Sequence, residues 1–496
     1  MTAPATPPPS PPEHFQRALG LLPAVAVNMT QMCGIGPFVT IPLMVAALGG
    51  PQAMLGWLLG AALVMADGLV WAELGAAMPG AGGTYLYLRE AFQYTTGRLM
   101  PFLFIWTAML TIPLTMATGV IGLVQYLGYY WPGMTYGTTH VIGLFVMALV
   151  LLALYRDTSA VGALTTALWL VMLFTVGAVI VACLTHFDPH LATALPPWAF
   201  SLHGGPLGVI PGSNPPATGV QPSFFTGLGS GLIIAIYDYN GYNTSAYMGA
   251  ELRQPGRTLP RSIIFSILGM MILYLLLQAG VLGVLPWRDV AASTSIGSAV
   301  LEKTWGKFAA QIFTGLIVVT AFASIFTGLL GGSRVPFNAA RDRMFLPVFG
   351  RLHPTRNFPH VAVIVLCAIT LVGSLFPLDQ VIAMLTAVMV LVQCLAQIAA
   401  LVVLRRRQPG LRRPYRMWAY PLPAVVAAVG WLYVFSATAD QHLDLGPVRI
   451  NLVLVALAWL ALGVSAFLFW ARAEKSWPFG PREIREEFLT AAPPPD

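Results

Sequence analysis

Charge is the first thing this chain lacks. Only 9% of its 496 residues are Asp, Glu, Lys or Arg, against about 25% in an ordinary soluble domain. So few charges cannot cover a water-facing surface, so a soluble globular fold is excluded. Cysteine is scarce as well. Cys33, Cys183, Cys367 and Cys394 all fall in apolar segments and read as small buried hydrophobes rather than a disulfide framework. No metal-ligand spacing joins them to the eight histidines, most of which fall in loops, so neither a metal nor another cofactor is expected. No Ser or Cys nucleophile stands near a base, and no Gly-x-x-x-x-Gly-Lys loop is present, which argues against an enzyme. Repeated filter loops and charge rings, the marks of a channel, are missing too.

What the chain has instead is apolar length. Hydrophobic residues make up 57% of it. Twelve apolar segments stand out, at 18–48, 52–78, 98–131, 138–155, 158–186, 223–250, 260–285, 306–333, 358–377, 379–404, 421–439 and 450–471. Each is long enough to cross a bilayer. The expected fold is therefore all-α and polytopic, with twelve membrane-spanning helices. With the N-terminus inside, 22 of the 26 Lys and Arg residues fall on the inner side and only Arg288, Lys303, Lys307 and Arg449 on the outer. The positive-inside rule thus predicts two cytoplasmic termini in a multi-pass protein of the cell membrane. Topology also absorbs the net charge of +7, so no nucleic-acid partner is needed.

Between the segments the composition changes. Residues 1–17 begin with a Pro-rich run and read as a disordered cytoplasmic tail without a signal peptide. Residues 472–496 read as a second, mobile tail. The outer loop 187–222 is rich in Pro and Gly, and the mixed segment Asp289–Thr304 is expected to lie along the outer surface. Only about ten residues separate the sixth and seventh segments, which argues against a carrier of two six-helix halves.

Two segments carry polar interruptions where a spanning helix should be uniform. The first reads Asn28-Met-Thr-Gln-Met-Cys-Gly-Ile-Gly-Pro-Phe38. The sixth contains Tyr237-Asp-Tyr-Asn-Gly-Tyr-Asn243. Bare backbone and ionisable side chains are costly in hydrocarbon unless they line a cavity. Interrupted helices in corresponding positions of two halves point to the binding site of a secondary transporter. Since five segments separate the two, the halves run in opposite senses. The expected arrangement is a five-plus-five inverted repeat over residues 18–404, followed by two appended helices over 405–471. At the first interruption Gly34 and Gly36 are expected to free the backbone angles, and Pro37 to open the second half-helix. The N–H groups of Ile35 and Gly36, at a positive helix end, suit a carboxylate. Carbonyls near Met32 and Cys33 suit an ammonium group or a cation. At the second interruption Asp238, Asn240 and Gly241 tolerate non-helical angles. One interruption for each end of a zwitterion suits an α-amino acid.

At this point the chain resembles a known group. Ala72-Glu-Leu-Gly-Ala-Ala-Met-Pro-Gly-Ala-Gly-Gly-Thr-Tyr-Leu-Tyr-Leu-Arg-Glu-Ala-Phe92 is similar to the second-helix signature of the amino acid–polyamine–organocation transporter superfamily. Gly249-Ala-Glu-Leu-Arg-Gln-Pro-Gly-Arg-Thr-Leu-Pro-Arg261 resembles its motif after the sixth helix. Gly331-Gly-Ser-Arg-Val-Pro-Phe-Asn-Ala-Ala-Arg-Asp342 resembles its eighth-helix exit, and Arg412-Arg-Pro-Tyr-Arg416 its loop before the eleventh helix. The resemblance runs from about residue 20 to 470 and implies transport of a small amino acid or amine by alternating access. It also places Gly34, Ile35 and Gly36 on the carboxylate-binding loop, and Tyr237 on an aromatic that closes over substrate.

Two departures keep the substrate open. No Lys or Arg occurs from Thr158 to His186, so the Lys that some relatives carry near the position of Met172 has no counterpart. Asp238-Tyr-Asn240 and Gly36-Pro-Phe38 resemble plant-type polyamine uptake transporters, so a polyamine or other organic cation is the alternative substrate. The substrate-site candidates are Cys33, Gly34, Ile35, Gly36, Tyr237, Asp238, Tyr239, Asn240 and Gly241. Asp67, Glu73, Ser324 and Thr327 are candidates for coupling or gating, with a proton or sodium as the coupling ion. Asp238 suits a ligand for an ammonium group, a proton carrier or a helix cap. Asp67 suits a proton relay or a bond to the backbone of a neighbouring helix. Trp106, Met116 and Phe322 are candidate pocket walls.

Overall fold

Lipid offers the backbone no hydrogen-bond partner, so apolar runs of this length close their own N–H and C=O groups as helices. The computed structural model describes residues 19–80, 82–155, 161–203, 223–353, 358–445 and 448–479. The expected tail 1–17, much of the outer loop 187–222 and most of the tail 472–496 lie outside the described residues.

The first half runs α1 (Leu21–Met32), α2 (Gly36–Leu48), α3 (Met54–Ala77), α4 (Thr84–Phe92), α5 (Leu99–Leu127), α6 (Tyr136–Leu154) and α7 (Val161–Thr185). A short turn, α8 (Pro189–Ala192), leads to α9 (Phe224–Tyr239), α10 (Thr244–Tyr247), α11 (Pro255–Val284), α12 (Trp287–Ala292), α13 (Ile296–Trp305) and α14 (Lys307–Arg341). The chain ends with α15 (His360–Gly373), α16 (Leu378–Met389), α17 (Ala396–Arg407), α18 (Leu422–Ala437) and α19 (Leu452–Ala473). A π-helical stretch, Val390–Leu395, joins α16 to α17.

Eight helices among the described residues are long and apolar enough to span a membrane. The pair α1 and α2 also passes together, bent by 53° across a short break. Three shorter apolar stretches, Leu170–Thr185, Phe224–Tyr239 and His360–Gly373, add to these. The molecule is a multi-pass membrane protein.

Three elements add to the expected pattern. Thr84–Phe92 forms a short, almost wholly buried helix outside the twelve apolar segments. The fold is not wholly helical, because His442–Leu445 pairs antiparallel with Val448–Asn451 as strands β1 and β2. Asp289–Thr304 is more than a surface loop: it forms two short helices, α12 packed against α2 and α13 against α7 and α14. Val290, Val300 and Leu301 are fully buried there.

α3 holds the centre. Gly60 and Gly68 on it meet Ala235 of α9 and Ile263 and Ile267 of α11, leaving no room for a larger residue. Its Trp57 and Trp71 are fully buried, as is Trp431 of α18.

Candidate functional site

α1 stops where Gly34-Ile35-Gly36 follows Cys33, whose N–H still bonds the Met29 carbonyl at 2.8 Å. α2 restarts with Gly36 and Pro37, whose missing N–H costs nothing in a first turn. No side chain caps α2, and the N–H groups of Gly34, Ile35 and Gly36 take no backbone acceptor among the described residues. Neither Gly34 nor Gly36 adopts a left-handed φ. What Gly36 supplies is room: a Cβ there would run into Asp238 Oδ1.

α9 stops at Asp238-Tyr239. Asn240 is extended, and Gly241 has φ of +118° with the Gln31 side chain against it. Only glycine takes both conditions. The Asp238 carboxylate is 1% exposed. Its Oδ2 accepts from the Thr40 hydroxyl, one helical turn beyond Gly36. Its Oδ1 has no hydrogen-bond partner, although a buried carboxylate oxygen without one is costly.

Between the two breaks lies a cavity of about 60 Å³. That is several times the roughly 10–15 Å³ that admits one water. Gly34, Ile35, Gly36, Tyr237, Asp238 and Asn240 line it, together with Ser324 and Thr327 of α14. Eight of the thirteen candidate residues thus meet at one place. Cys33, Tyr239 and Gly241 border the breaks without lining the cavity. Tyr239 points away from it and packs on Trp57 with ring centroids 6.2 Å apart.

The hydroxyls differ in what they have left to offer. Thr327 bonds back to Ala323 at 2.8 Å, as helical threonines commonly do. Ser324 faces the break, with its Oγ 3.1 Å from where a Gly34 Cβ would stand. Thr118 gives its proton to the Thr115 carbonyl at 2.6 Å. The Tyr237 hydroxyl, 2.6 Å from Thr118 Oγ1, therefore donates to it.

Asp67 and Glu73 lie elsewhere. Asp67 accepts from the Tyr242 hydroxyl and from Trp431 Nε1 at 3.2 Å. It ties α3 to α18 and to the turn after α9 through side chains, whereas the bond expected of it was to a neighbouring helix's backbone. Glu73 is gripped by Arg405 at 2.8 and 2.5 Å and accepts from the Met417 N–H at 2.8 Å. Of the candidate walls, Met116 lines the cavity. Trp106 instead stacks on Trp459 at 5.1 Å and donates to its carbonyl, away from the site.

Residues the sequence reading passed over complete the site. Tyr274 of α11 holds its hydroxyl 2.9 Å from the carbonyls of both Met32 and Asp238. Asn28 accepts from the Ser245 N–H at 2.7 Å and so joins α1 to α10. Tyr274 and Thr40 are lone polar residues in apolar runs, while Asn28 opens the first polar interruption and Thr118 follows Thr111 and Thr115 on one helix. That signal was present, but its partners were not visible.

The fold is polytopic, and the family and relatives that the chain matches are permeases and transporters, not enzymes. The sequence profile of the amino acid permease family matches residues 19–469, and the chain belongs to that family. It is similar to a serine/threonine exchanger of Bacillus subtilis, SteT, at 24% identity over 86% of this chain and 91% of the relative. It is similar to the branched-chain amino acid permease BcaP of the same species at 25%, over 93% and 94%. It is also similar to the mouse Asc-type amino acid transporter 1 at 26%, over 93% and 83%.

Proposed function

We propose that the chain is a secondary transporter that carries amino acids across the cell membrane by alternating access, with the substrate held between the breaks of the first and sixth spans. The eight long apolar helices, the bent pair and the three shorter apolar stretches support a reading of twelve spans. On this reading residues 18–404 form a five-plus-five inverted repeat, 405–471 two appended helices, and both termini are cytoplasmic.

The observation that carries the proposal is the meeting of opposite polar groups at one small cavity. Asp238 Oδ1 is a buried acceptor without a partner. It stands beside a helix start whose N–H groups and dipole favour an anion. A zwitterion satisfies both, its ammonium on Asp238 and its carboxylate at the Gly34–Gly36 turn. Because Asp238 itself sits against Gly36, the substrate carboxylate belongs on the Gly34–Ile35 side. Tyr237 and Met116 flank the remaining space, and a cavity this small holds a bulky substrate only after the helices move apart.

The named substrates of the relatives are amino acids, which favours that class over polyamines. The test is uptake into proteoliposomes holding the purified protein. Labelled serine, threonine, leucine, arginine and spermidine are offered with and without proton and sodium gradients. Accumulation of at least one amino acid is expected, and the gradient that drives it names the coupling ion. Uptake of spermidine alone would replace the amino acid reading with the polyamine one.

A further inference from the structure

A second cavity, of about 700 Å³, shares no lining residue with the one beside Asp238 and plays no part in the proposed transport. Its walls come from the end of α4, where Arg89 and Gln93 line it, and from the start of α5 and the ends of α14 and α19, the last three being apolar helices. It therefore sits at a membrane–water boundary whichever face that is. Arg98, Arg343 and Lys475 line it, with Trp470 and Trp477 beside them. The volume falls within the roughly 300–1,000 Å³ typical of ligand sites.

The acids in this cavity are already engaged. Glu474 pairs with Arg98 at 3.0 Å, and Asp342 accepts from the Tyr85 hydroxyl at 2.5 Å. Arg343 and Lys475 make no ion pair with a described residue. Arg98 also lies over the Trp470 ring, 4.9 Å from its centroid, and its Nε is buried without a partner.

The backbone gives a second, independent observation. Both helices end in the same two-bond cap. After α14 the Met344 N–H reaches the Ala339 carbonyl, and the Arg343 N–H reaches Ala340. After α19 the Ser476 N–H reaches Ala471, and the Lys475 N–H reaches Arg472. The residue at the turn of such a cap is left-handed and is usually glycine. Here the two residues are Arg343, at φ 59°, and Lys475, at φ 56°. Only two other non-glycine residues among those described have positive φ. Two helix ends thus put a long cation where a side chain is disfavoured, and both line one cavity.

We propose that this cavity binds the phosphate-bearing headgroup of an acidic phospholipid. On this proposal the cations face the phosphate, and Trp470 and Trp477 beside them are the indole rings that favour a headgroup level. The competing explanation is that the two cations only complement the negative helix ends.

The test titrates full-length protein in detergent with phosphatidylglycerol, phosphatidylcholine or inorganic phosphate, and counts bound lipid by native mass spectrometry. Phosphatidylglycerol should bind in preference to phosphatidylcholine. Arg343→Gly and Lys475→Gly place the residue that the turn prefers, so thermal stability should hold or rise. Each should weaken phosphatidylglycerol binding roughly fivefold, and both together roughly thirtyfold. The Asn pair, which also tolerates this conformation, should behave alike. An unchanged lipid preference in the double variant would leave helix capping as their role. Inorganic phosphate binding as tightly as phosphatidylglycerol would overturn the lipid source.

Discussion

At the scale of the residue, Asp238 decides the chemistry. Its two oxygens are unequal: Thr40 satisfies one and nothing satisfies the other. If the free oxygen takes a substrate ammonium, Asp238→Asn removes a charged hydrogen bond from a dry site. That costs about 1.5–3 kcal/mol, or roughly ten- to over a hundredfold in affinity. The expected result is weaker binding of every α-amino acid, measured by thermal shift or isotope binding. A loss confined to cationic substrates would place Asp238 against the side chain instead. Unchanged affinity with a lost pH dependence of uptake would make it the carrier of a coupled proton. Gly36 gives a second prediction. A Cβ there meets Asp238 Oδ1, so Gly36→Ala should abolish substrate binding while the protein still inserts and survives detergent extraction. Normal affinity in that variant would move the substrate elsewhere.

At the scale of the element, the two breaks are tied to each other. Tyr274 sits 2.9 Å from both the Met32 and the Asp238 carbonyls. Asn28 bridges to Ser245, and Leu19 exchanges backbone bonds with Glu251 and Arg253 at 3.0 and 2.8 Å. α1 and the segment after α9 are thus coupled along much of their length. Tyr274→Phe keeps the ring and removes the hydroxyl. It should cost about 0.5–1.5 kcal/mol and speed hydrogen exchange at Met32–Gly36 and Asp238–Gly241 together. Faster exchange at one break only would mean that the two are not coupled through this hydroxyl. Glu73 makes the corresponding brace at the far end of α3, joining α17 and the loop before α18. Arg413 Nε also stands 3.5 Å from Glu73, so Glu73→Gln leaves Arg405 and Arg413 beside a neutral group and should destabilise the protein by about 3 kcal/mol, read as a lower melting temperature. An unaltered melting temperature would count against the brace.

At the scale of the whole molecule, the orientation rests on 22 basic residues against four. All four native thiols are buried, so engineered cysteines can report on topology without background. With both termini inside, a membrane-impermeant maleimide should label His203→Cys in intact cells and spare Arg412→Cys until the membrane is permeabilised. The opposite pattern would invert the assignment.

Much of this architecture was legible in the residues. Hydrocarbon accepts only apolar residues outside and a satisfied backbone inside, so run length alone marked the long helices. The same rule made Tyr237–Asn243 and Gly34–Gly36 stand out as exceptions that need a cavity. Short elements were not legible. Thr84–Phe92 is half polar, and the strands His442–Leu445 and Val448–Asn451 are too brief to carry a period. Individual roles were also hidden, because they depend on partners distant in sequence. Glu73 and Arg405 are 332 residues apart, Asp67 and Trp431 364, and Thr40 and Asp238 198. A local pattern cannot tell whether a buried acid faces a cavity or a satisfied partner. The sequence by itself determined that this protein lives in the membrane, where its helices run and where two of them must open. Only the tertiary packing decided that Asp67 is engaged while Asp238 keeps one oxygen free, because that depends on which helix faces lie against each acid.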